Sequence, residues 1–440
     1  MNDKKNKTMA LICKKEFEEA LEEEIRLRAG SDAPSISATQ SGLLILRADF
    51  HHPLQEPELP NDSSEVANPE KVDGDTPSLP SDLHAGRARM LRAANQSTAH
   101  FLEKPFIFER QRIENAMLIP NDSLKRMARE VVKQLLPTIT TSEAAWTCHV
   151  FALDSAENEN NDQEKADITT EFTETRSDAS SSSSPCLRGE DSSMERKTLS
   201  ARARNFERVL LEFCGERFAR VLRRYKPPAE IEREKRGLVL NLCLVPEGIW
   251  GGVMPCERLS DPRPGGIHRM AFDRHAPCRS YLKIEEALHL MGEKPVRGQT
   301  VVDLGASPGG WSYAFLKRGC HVVAVDNGPL LIERLEQYGD SLTHLRQDGV
   351  IFEPDRQNLP VDWLVSDMLI STGKNIGMLR KWFSNRWMRQ FVVNIKLPQL
   401  HPYAALKPVE DFLGSTRDIA FDIRQLYHDR REVTLFGRMT

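Results

Sequence analysis

The chain has 440 residues, of which 40% are apolar and 28% charged, and its formal net charge is −4. This length allows two or three domains with a sizeable core, and the absence of a long apolar run predicts a soluble chain without a membrane span. The N-terminal stretch MNDKKNKTMALICKKEF is basic but has no adequate apolar run or cleavage site, so no secretory signal is predicted. The eight cysteines include no C-x-x-C pair, which argues against a zinc ribbon or a disulfide framework and favours a reducing cytoplasm.

The first half of the chain shows an α+β pattern. MALICKKEFEEALEEEIRLRA predicts a short strand and an acidic amphipathic helix, and SGLLILRAD predicts another strand. PFIFERQRI, a helical SLKRMAREVVKQLL and the strand-like AAWTCHVFAL continue the pattern up to about residue 150. The strand-like LVLNLCLVPEGIWGGVM (238–254) either closes this region or links it to the next. No catalytic constellation is recognisable here.

Two polar segments interrupt this pattern and are predicted to be disordered insertions. Residues 51–82 are rich in proline, and residues 154–200 are rich in Ser, Asn and Thr. From Asp154 to Glu195 twelve acidic residues oppose three basic residues, a net charge of −9. Such a segment buries too little apolar surface to offset the entropy of ordering.

The next stretch, residues 201–237, is basic, with eleven basic and six acidic residues. ARARNFERVLLEFCGERFARVLRRYK predicts a helical run with an apolar stripe and arginines on the remaining face. That face is either a solvated surface over a core or a contact for nucleic acid. The stripe consists of Phe206, Val209, Leu210, Phe213, Phe218, Val221 and Leu222.

From about residue 280 onward, strand-like and helix-like runs alternate. This alternation predicts an α/β fold with a parallel sheet covered by helices on both faces. The last two strands are too close for a crossover helix and should form an antiparallel hairpin. Strands are predicted at 300–306, 321–327, 342–348, 362–368, 390–398, 422–428 and 432–438. Helices are predicted at 311–318, 330–338, 377–388 and 407–415.

The ends of these strands carry polar residues, and ligands bind outside the carboxyl ends of parallel strands in such sheets. The first strand ends at a glycine-rich loop, and the following four end at Asp326, Asp348, Asp367 and Lys396. Glu432 would reach the same edge if the seventh strand ran antiparallel between its neighbours. One acid after a strand is commonly a helix cap. Several at one edge predict a binding site.

The loop in VDLGASPGGW (302–311) points to one class of ligand. Asp326 lies 21 residues after Gly305, the interval at which a second-strand carboxylate accepts hydrogen bonds from ribose hydroxyls. G-A-S-P-G-G matches neither the dinucleotide motif G-x-G-x-x-G nor a phosphate loop, so S-adenosylmethionine is the natural candidate. Gly305, Gly309 and Gly310 would let the backbone approach it closely, and Asp348 would accept from the adenine amino group. The alternative is a tight turn that binds nothing.

These segments, together with PCRSYLKIEEAL, SDM, NIKLP and RQLYHDRREVT, resemble the FtsJ-type ribose 2′-O-methyltransferases. Within that family the likeness is greatest to the bacterial enzymes that methylate a cytidine of large-subunit (23S) rRNA. The resemblance covers residues 240–440 and implies a seven-stranded Rossmann-like methyltransferase sheet, S-adenosylmethionine as cofactor and rRNA as substrate. Family members carry an N-terminal THUMP RNA-binding domain, which the first 235 residues match only in MALICKKEFEEALEEEI and PFIFERQ. The implied domains are a THUMP-like region, 1–240, and a methyltransferase domain, 241–440.

The family's catalytic tetrad Lys-Asp-Lys-Glu corresponds to Lys283, Asp367, Lys396 and Glu432. Lys396 would be the general base that takes the proton of a ribose hydroxyl, and Asp367 would orient it. Lys283 and burial would favour the uncharged form of this base, while the two carboxylates would oppose it. For each lysine alone, a surface salt bridge is the simpler interpretation, and only the joint pattern favours catalysis.

The resemblance also implies which residues contact the cofactor. Cys278 stands where related enzymes carry a serine, and a thiol is the weaker hydrogen-bond donor. No base accompanies Cys278, so a cysteine nucleophile is not predicted. The predicted cofactor-binding residues are Cys278, Gly305, Ser307, Pro308, Gly309, Gly310, Asp326, Asp348 and Asp367.

Basic residues in the C-terminal segments are predicted to flank the site edge and to contact RNA phosphates. Each one alone is equally well a solvated charge. Two other functions stay open: a non-catalytic RNA-binding or ribosome-assembly factor, and a nicotinamide-dependent oxidoreductase. The presence of Lys396 and Asp367 counts against the first, and the lack of G-x-G-x-x-G against the second. The basic residues are Arg269, Arg274, Arg279, Lys374, Arg386, Arg389, Arg430 and Arg431.

Overall fold

The structure is a computed structural model that describes residues 7–30, 33–48, 105–153 and 189–440. The predicted insertion 51–82 and residues 154–188 of the second one lie outside these ranges. Residues 189–200 were also predicted to be disordered, and this was wrong, because they form the beginning of a long helix. Their sequence, GEDSSMERKTLS, contains good helix formers such as Glu, Met, Arg and Lys. Within the described residues no helix is long and apolar enough to cross a membrane.

The first sheet is antiparallel, with the strand order β2-β3-β1-β4. Alternate residues of β1 face opposite sides: Leu11 packs towards helix α1, and Ile12 towards the second sheet. The strand and the acidic helix predicted here are confirmed. The elements are β1 (Lys7–Cys13), α1 (Glu18–Ala29), β2 (Ser35–Gln40), β3 (Leu43–Ala48) and β4 (Glu109–Ile113).

The second sheet has the order β5-β8-β7-β6, with β6 and β7 parallel. Helices α2 and α3 cover one face, where Trp146, Phe206 and Leu210 are fully buried. The predicted apolar stripe is confirmed, since all its residues are buried or half-buried in this core. The elements are β5 (Met117–Pro120), α2 (Leu124–Thr140), β6 (Trp146–Ala152), α3 (Gly189–Arg217), α4 (Ala219–Leu222), α5 (Pro228–Glu234), β7 (Leu238–Val245) and β8 (Gly248–Pro255).

The predicted domain boundary between residues 240 and 241 requires correction. It falls inside β7, which pairs with β6 along its whole length and with β8 in a tight hairpin. A boundary there would cut a buried sheet through its middle. A division after Pro255 leaves the second sheet intact.

The third sheet has seven strands in the order β11-β10-β9-β12-β13-β15-β14. Strands β9 to β13 are parallel to one another, and β15 runs antiparallel between β13 and β14. This confirms the predicted α/β sheet and its C-terminal hairpin. The strands are β9 (Thr300–Leu304), β10 (His321–Val325), β11 (Leu342–Leu345), β12 (Val361–Ser366), β13 (Met388–Lys396), β14 (Ile419–Arg424) and β15 (Glu432–Met439).

Helices on both faces of the third sheet agree with the prediction except at one place. The predicted helix 330–338 is absent, and only a short 3-10 segment, Leu335–Ser341, occurs there. Arg334 has a left-handed conformation, with φ at 51°. The amide of Leu331 donates to the carbonyl oxygen of Pro308 and so joins this segment to the glycine-rich loop. The helices are α6 (Tyr281–Met291), α7 (Gly310–Leu316), α8 (Thr372–Ser384) and α9 (Pro402–Ser415).

The first sheet and the third sheet share a hydrophobic core. Helix α1 packs on α9, where the Arg28 guanidinium lies 2.9 Å from the Glu410 carboxylate. The amide of Gln425 donates to the carbonyl oxygen of Ile107 at 2.9 Å. The ammonium of Lys14 donates to the carbonyl oxygen of Asp429. The N-terminal part of the chain therefore contacts the segment that leads into β15.

Candidate active site

Three strands bring their polar residues to one edge of the third sheet. Asp367 directly follows β12, and Lys396 is the last residue of β13. Because β15 is antiparallel, its first residue, Glu432, lies opposite Lys396 in the ladder. Glu432 was predicted to reach this edge if the seventh strand ran antiparallel between its neighbours, and β15 does so.

Helix α6 adds Lys283 to this edge, so the four predicted tetrad residues form one cluster. The Lys283 ammonium lies 2.6 Å from Glu432 Oε1 and 3.4 Å from Asp367 Oδ2. The Lys396 ammonium lies 2.9 Å from Asp367 Oδ1 and 3.5 Å from Glu432 Oε2. Each lysine therefore contacts both carboxylates, and the two positive charges balance the two negative ones.

The members of this cluster differ in their access to solvent. The side chain of Lys396 is 23% exposed, whereas those of Lys283 and Glu432 are 11% and 7% exposed. Lys396 is therefore the cation that a substrate reaches most easily, and Lys283 lies behind it.

The charged forms of Lys283 and Glu432 are stabilised by their neighbours in the cluster. Burial alone would lower the pKa of the Lys283 ammonium, but neighbouring carboxylates, led by Asp367, raise it above its usual value. Burial alone would raise the pKa of Glu432, but the two lysine ammonium groups hold it below its usual value. Lys283 and Glu432 are thus a cation and an anion at neutral pH.

Asn394 is a neighbour that the sequence did not single out. Its side-chain amide donates to Asp367 Oδ1 at 2.9 Å. Asn394 lies two residues before Lys396 on β13, so both side chains emerge on the same face of the sheet. Asp367 is therefore held by an amide and by the two lysines, and this fixes its orientation.

The glycine-rich loop after β9 is packed closely against its own protein. Gly305 has φ at 76°, and a Cβ atom there would lie 2.5 Å from Met368 Cγ. A Cβ at Gly309 would lie 2.7 Å from Ile332, and one at Gly310 would lie 2.6 Å from the sulfur of Cys278. From the sequence, these glycines were predicted to let the backbone approach a cofactor closely. The structure shows that internal packing already requires them.

Cys278 and Ser280 lie beside this loop. The Cys278 thiol and the Ser280 hydroxyl are 2.9 Å apart, and the Trp311 indole donates to the Ser280 carbonyl oxygen. The segment before α6, which also delivers Lys283, is therefore attached to the start of α7. Cys278, a predicted cofactor-binding residue, therefore lies next to Gly310.

Asp326 joins two loops at this edge. Its Oδ2 accepts from the Ser307 amide at 3.1 Å, and its Oδ1 accepts from the Gly328 amide at 2.7 Å. The Ser307 hydroxyl in turn donates to the carbonyl oxygen of Pro329. The loops after β9 and β10 therefore form one unit, in which Asp326 holds the backbone of the glycine-rich loop.

Asp348 lies further out, in the loop after β11. It is exposed, and its carboxylate accepts from the amide of Val350 at 2.8 Å. The adjacent Gly349 is buried, and a Cβ there would lie 3.2 Å from the Leu304 side chain. Gly349 thus lets the β11 loop approach the end of β9 and places Asp348 at the same edge. The sequence missed Gly349 because its requirement comes from a contact between distant segments.

Asp303 is a buried carboxyl group below the glycine-rich loop that the sequence did not predict. It is 1% exposed, and the Ser312 hydroxyl donates to it at 2.7 Å. Burial raises its pKa to about 7. The apolar residues around it in TVVDLGA were the available signal for a buried acid within a strand.

This shift predicts how stability depends on pH. Between about pH 4 and 7 the folded state holds a proton on Asp303 that the unfolded state releases, so the contribution of Asp303 to stability falls as the pH rises. Relative to wild type, Asp303→Asn should gain about 1.4 kcal/mol in free energy of unfolding per pH unit in this window. Urea denaturation of both proteins at several pH values measures this. Parallel stability curves would contradict the assignment.

The predicted phosphate-contacting residues do not all lie at this edge. Arg386 precedes β13 and pairs with Asp418, and Arg389, at the start of β13, lies 3.5 Å from Asp362. Both lie at the amino ends of the parallel strands, so their predicted place at the site edge is wrong. Arg279, Lys374, Arg430 and Arg431 belong to segments that adjoin Lys283, Asp367 or Glu432.

A family model described as FtsJ-like methyltransferase matches residues 276–408. This range includes the glycine-rich loop, Lys283, Asp367 and Lys396.

Two solved structures resemble the chain at low level. A methyltransferase from Burkholderia thailandensis is 14% identical with a TM-score of 0.29, over 38% of this chain and 80% of its own. A magnesium protoporphyrin IX methyltransferase from Synechocystis is 17% identical with a TM-score of 0.28, over 37% and 79%. Likeness of this degree does not bear on function.

Curated relatives are more similar. A protein of Teredinibacter turnerae named Ribosomal RNA large subunit methyltransferase M is 38% identical over 207 residues, which is 44% of this chain and 58% of that protein. A protein of the same name from Salmonella arizonae is 34% identical over 254 residues, 53% of this chain and 66% of its own. The match thus covers less than two thirds of either relative. Residues 276–408 therefore match the FtsJ-like methyltransferase family, and the chain is similar to proteins named Ribosomal RNA large subunit methyltransferase M.

Proposed function

We propose that the chain transfers a methyl group from S-adenosylmethionine to a ribose 2′-hydroxyl of a cytidine in large-subunit rRNA. The observation that carries this proposal is the closed cluster of Lys283, Asp367, Lys396 and Glu432, in which Lys396 is the most exposed member. A non-catalytic RNA-binding protein would not require such a cluster at the edge of the sheet.

In this proposal Lys396 receives the proton of the ribose hydroxyl. Asp367 orients the side-chain nitrogen of Lys396, which must be the neutral amine to accept this proton, through the 2.9 Å contact, and Asn394 keeps Asp367 in place. Lys283 lies behind Lys396 and contacts the same two carboxylates. Glu432 holds Lys283 in position at 2.6 Å. These residues supply general-base catalysis, and the fixed geometry supplies orientation.

The residues beside the cluster fit an adenosine-bearing cofactor. Each oxygen of Asp326 accepts one loop amide and keeps a further lone pair with which it can accept a ribose hydroxyl. Asp348 can accept from an adenine amino group. Ser307 and Gly309 belong to the glycine-rich loop, which Asp326 contacts. S-adenosylmethionine, when bound, supplies a methyl group on a positively charged sulfonium, which suits an edge that carries several carboxylates.

An RNA partner is supported by the surface around the cluster. Leu369 and Leu400, in the loops that follow Asp367 and Lys396, are 86% and 79% exposed. Large apolar side chains exposed in this way are typical of binding surfaces. Exposed arginines of α3 and α4, such as Arg208 and Arg220, give the N-terminal part a basic face suited to RNA phosphates. A THUMP-like role for this part and a cytoplasmic location remain predictions.

Labelled S-adenosylmethionine and unmodified large-subunit rRNA provide the test. Methyl transfer to a ribose, mapped by its resistance to alkaline cleavage, is the expected result. RNA in which the target nucleotide carries a 2′-deoxyribose is the matched control and should accept no label. Absence of transfer to any rRNA would sink the proposal, and label on a base would assign a different reaction.

A further inference from the structure

The segment of residues 426–431, here called the β15 lead, connects β14 to β15 and ends directly before Glu432. Its backbone is held by the side chain of Glu286. The amide of Tyr427 donates to Glu286 Oε1 at 2.8 Å, and the amide of His428 donates to Oε2 at 3.1 Å. Glu286 is 3% exposed, so neither hydrogen bond competes with bulk water.

Glu286 lies on α6, three residues after Lys283, so the two side chains emerge from the same face of the helix. Lys283 contacts the Glu432 carboxylate, and Glu286 contacts the backbone just before it. A single helix therefore holds the side chain of Glu432 and the path of the chain that leads to it.

Further contacts connect the β15 lead to Glu432. The Asp429 carboxylate accepts from the Leu426 amide at 2.9 Å and from the Thr434 hydroxyl at 3.0 Å. The amide of Arg430 donates to Glu432 Oε1 at 3.0 Å. A shift of the backbone at Tyr427 and His428 would therefore be transmitted to the Glu432 carboxylate.

We propose that Glu286 is a positioning residue, which fixes the β15 lead so that Glu432 contacts Lys283 and Lys396 at the same time. Glu286 touches none of the reacting groups in this proposal. The proposal rests on the methyl transfer proposed above. It predicts that loss of Glu286 slows the chemical step and leaves binding of cofactor and RNA unchanged.

Burial of Glu286 has a physical reason in this role. A buried carboxylate is costly, and its burial raises the pKa of Glu286 to about 8. Both oxygens of a carboxyl group keep lone pairs whether or not the group is protonated, and here each oxygen accepts one backbone amide. A glutamine at this position retains one such oxygen and presents an NH₂ group to the second amide, so it can satisfy only half of the arrangement.

Glu286→Ala and Glu286→Gln test the proposal, with Glu285→Ala as the matched control. Glu285 is the neighbouring residue on α6, and its carboxylate lies 2.6 Å from the Arg318 guanidinium. This ion pair lies away from the β15 lead. Single-turnover rates with large-subunit rRNA, together with dissociation constants for S-adenosylmethionine and the RNA, separate chemistry from binding. A displacement of about 1 Å in a catalytic group costs about 10²-fold in rate.

We expect the rate to fall by about 10²-fold in Glu286→Ala and by less in Glu286→Gln, with both dissociation constants within about 2-fold of wild type. Glu285→Ala should keep the wild-type rate. If Glu286→Ala does not fold, Glu286→Gln and Thr434→Val, which removes the hydroxyl that holds Asp429, should still show smaller falls in rate. An unchanged rate in the folded Glu286 variants, or a loss confined to binding, would overturn the proposal. An inactive wild type would instead refute the proposed function.

Discussion

Replacing Lys396 with alanine is expected to lower the rate of methyl transfer by about 10²- to 10⁴-fold, the usual contribution of a general base. The reason is that Lys396 is the most exposed cation of the cluster and the only one of its two lysines at the end of a central strand. Affinity for S-adenosylmethionine should stay close to that of wild type, because none of the loop contacts of Asp326 involves Lys396. Labelled transfer assays and calorimetric titration measure the two quantities.

Lys381→Ala is the matched control for this experiment. Lys381 also pairs with a carboxylate, at 2.7 Å from Glu353, but lies near the end of α8 away from the cluster. It should retain the wild-type rate. Full activity of Lys396→Ala would refute the role of Lys396 as the base, and equal losses in both variants would point to a general effect of lost charge.

Replacing Asp326 with alanine should weaken the binding of S-adenosylmethionine by about 10²-fold, since hydrogen bonds to a charged group contribute about 1.5–3 kcal/mol each. The substitution removes the acceptor for the amides of Ser307 and Gly328 and the proposed acceptor for the ribose. Isothermal titration calorimetry with wild-type and variant protein measures the change.

Asp355→Ala controls for the local turn. The Asp355 carboxylate accepts a hydrogen bond from the backbone amide of Gln357, two residues later, at 3.1 Å. The Asp326 carboxylate accepts from the amide of Gly328 in the same way. Asp355 is not part of the glycine-rich loop, so its loss should leave the affinity for the cofactor unchanged. A wild-type dissociation constant in Asp326→Ala would remove Asp326 from the cofactor site.

The third sheet was predictable because its strands are short apolar runs, such as HVVAV and FVVNI, separated by helix-length segments. The edge that gathers Asp326, Asp367 and Lys396 follows from strand direction alone. The same rule should have placed Arg389 at the opposite edge, since it precedes the apolar run of its strand. That error arose from counting nearby charges without applying strand direction.

The contacts that complete the site were not predictable in this way. Asn394, Gly349 and Glu286 matter because of residues that lie far from them in the chain, and no local pattern marks such pairs. The absent helix at 330–338 has a similar cause. Its sequence favours a helix, but Arg334 in the middle of the segment has a left-handed backbone with φ at 51°, so the tertiary surroundings override the local propensity.

The first sheet packs one face against the second sheet and the other against the core that it shares with the third. The first sheet therefore connects the other two. In the described residues, shared hydrophobic cores connect α3, the helix that carries arginines of the basic face, to the sheet that carries Lys396. If RNA is held on that basic face, only a ribose at a matching distance along the folded RNA reaches Lys396. The target nucleotide would then be chosen by the length of the RNA path between two points, with no need to read the bases between them.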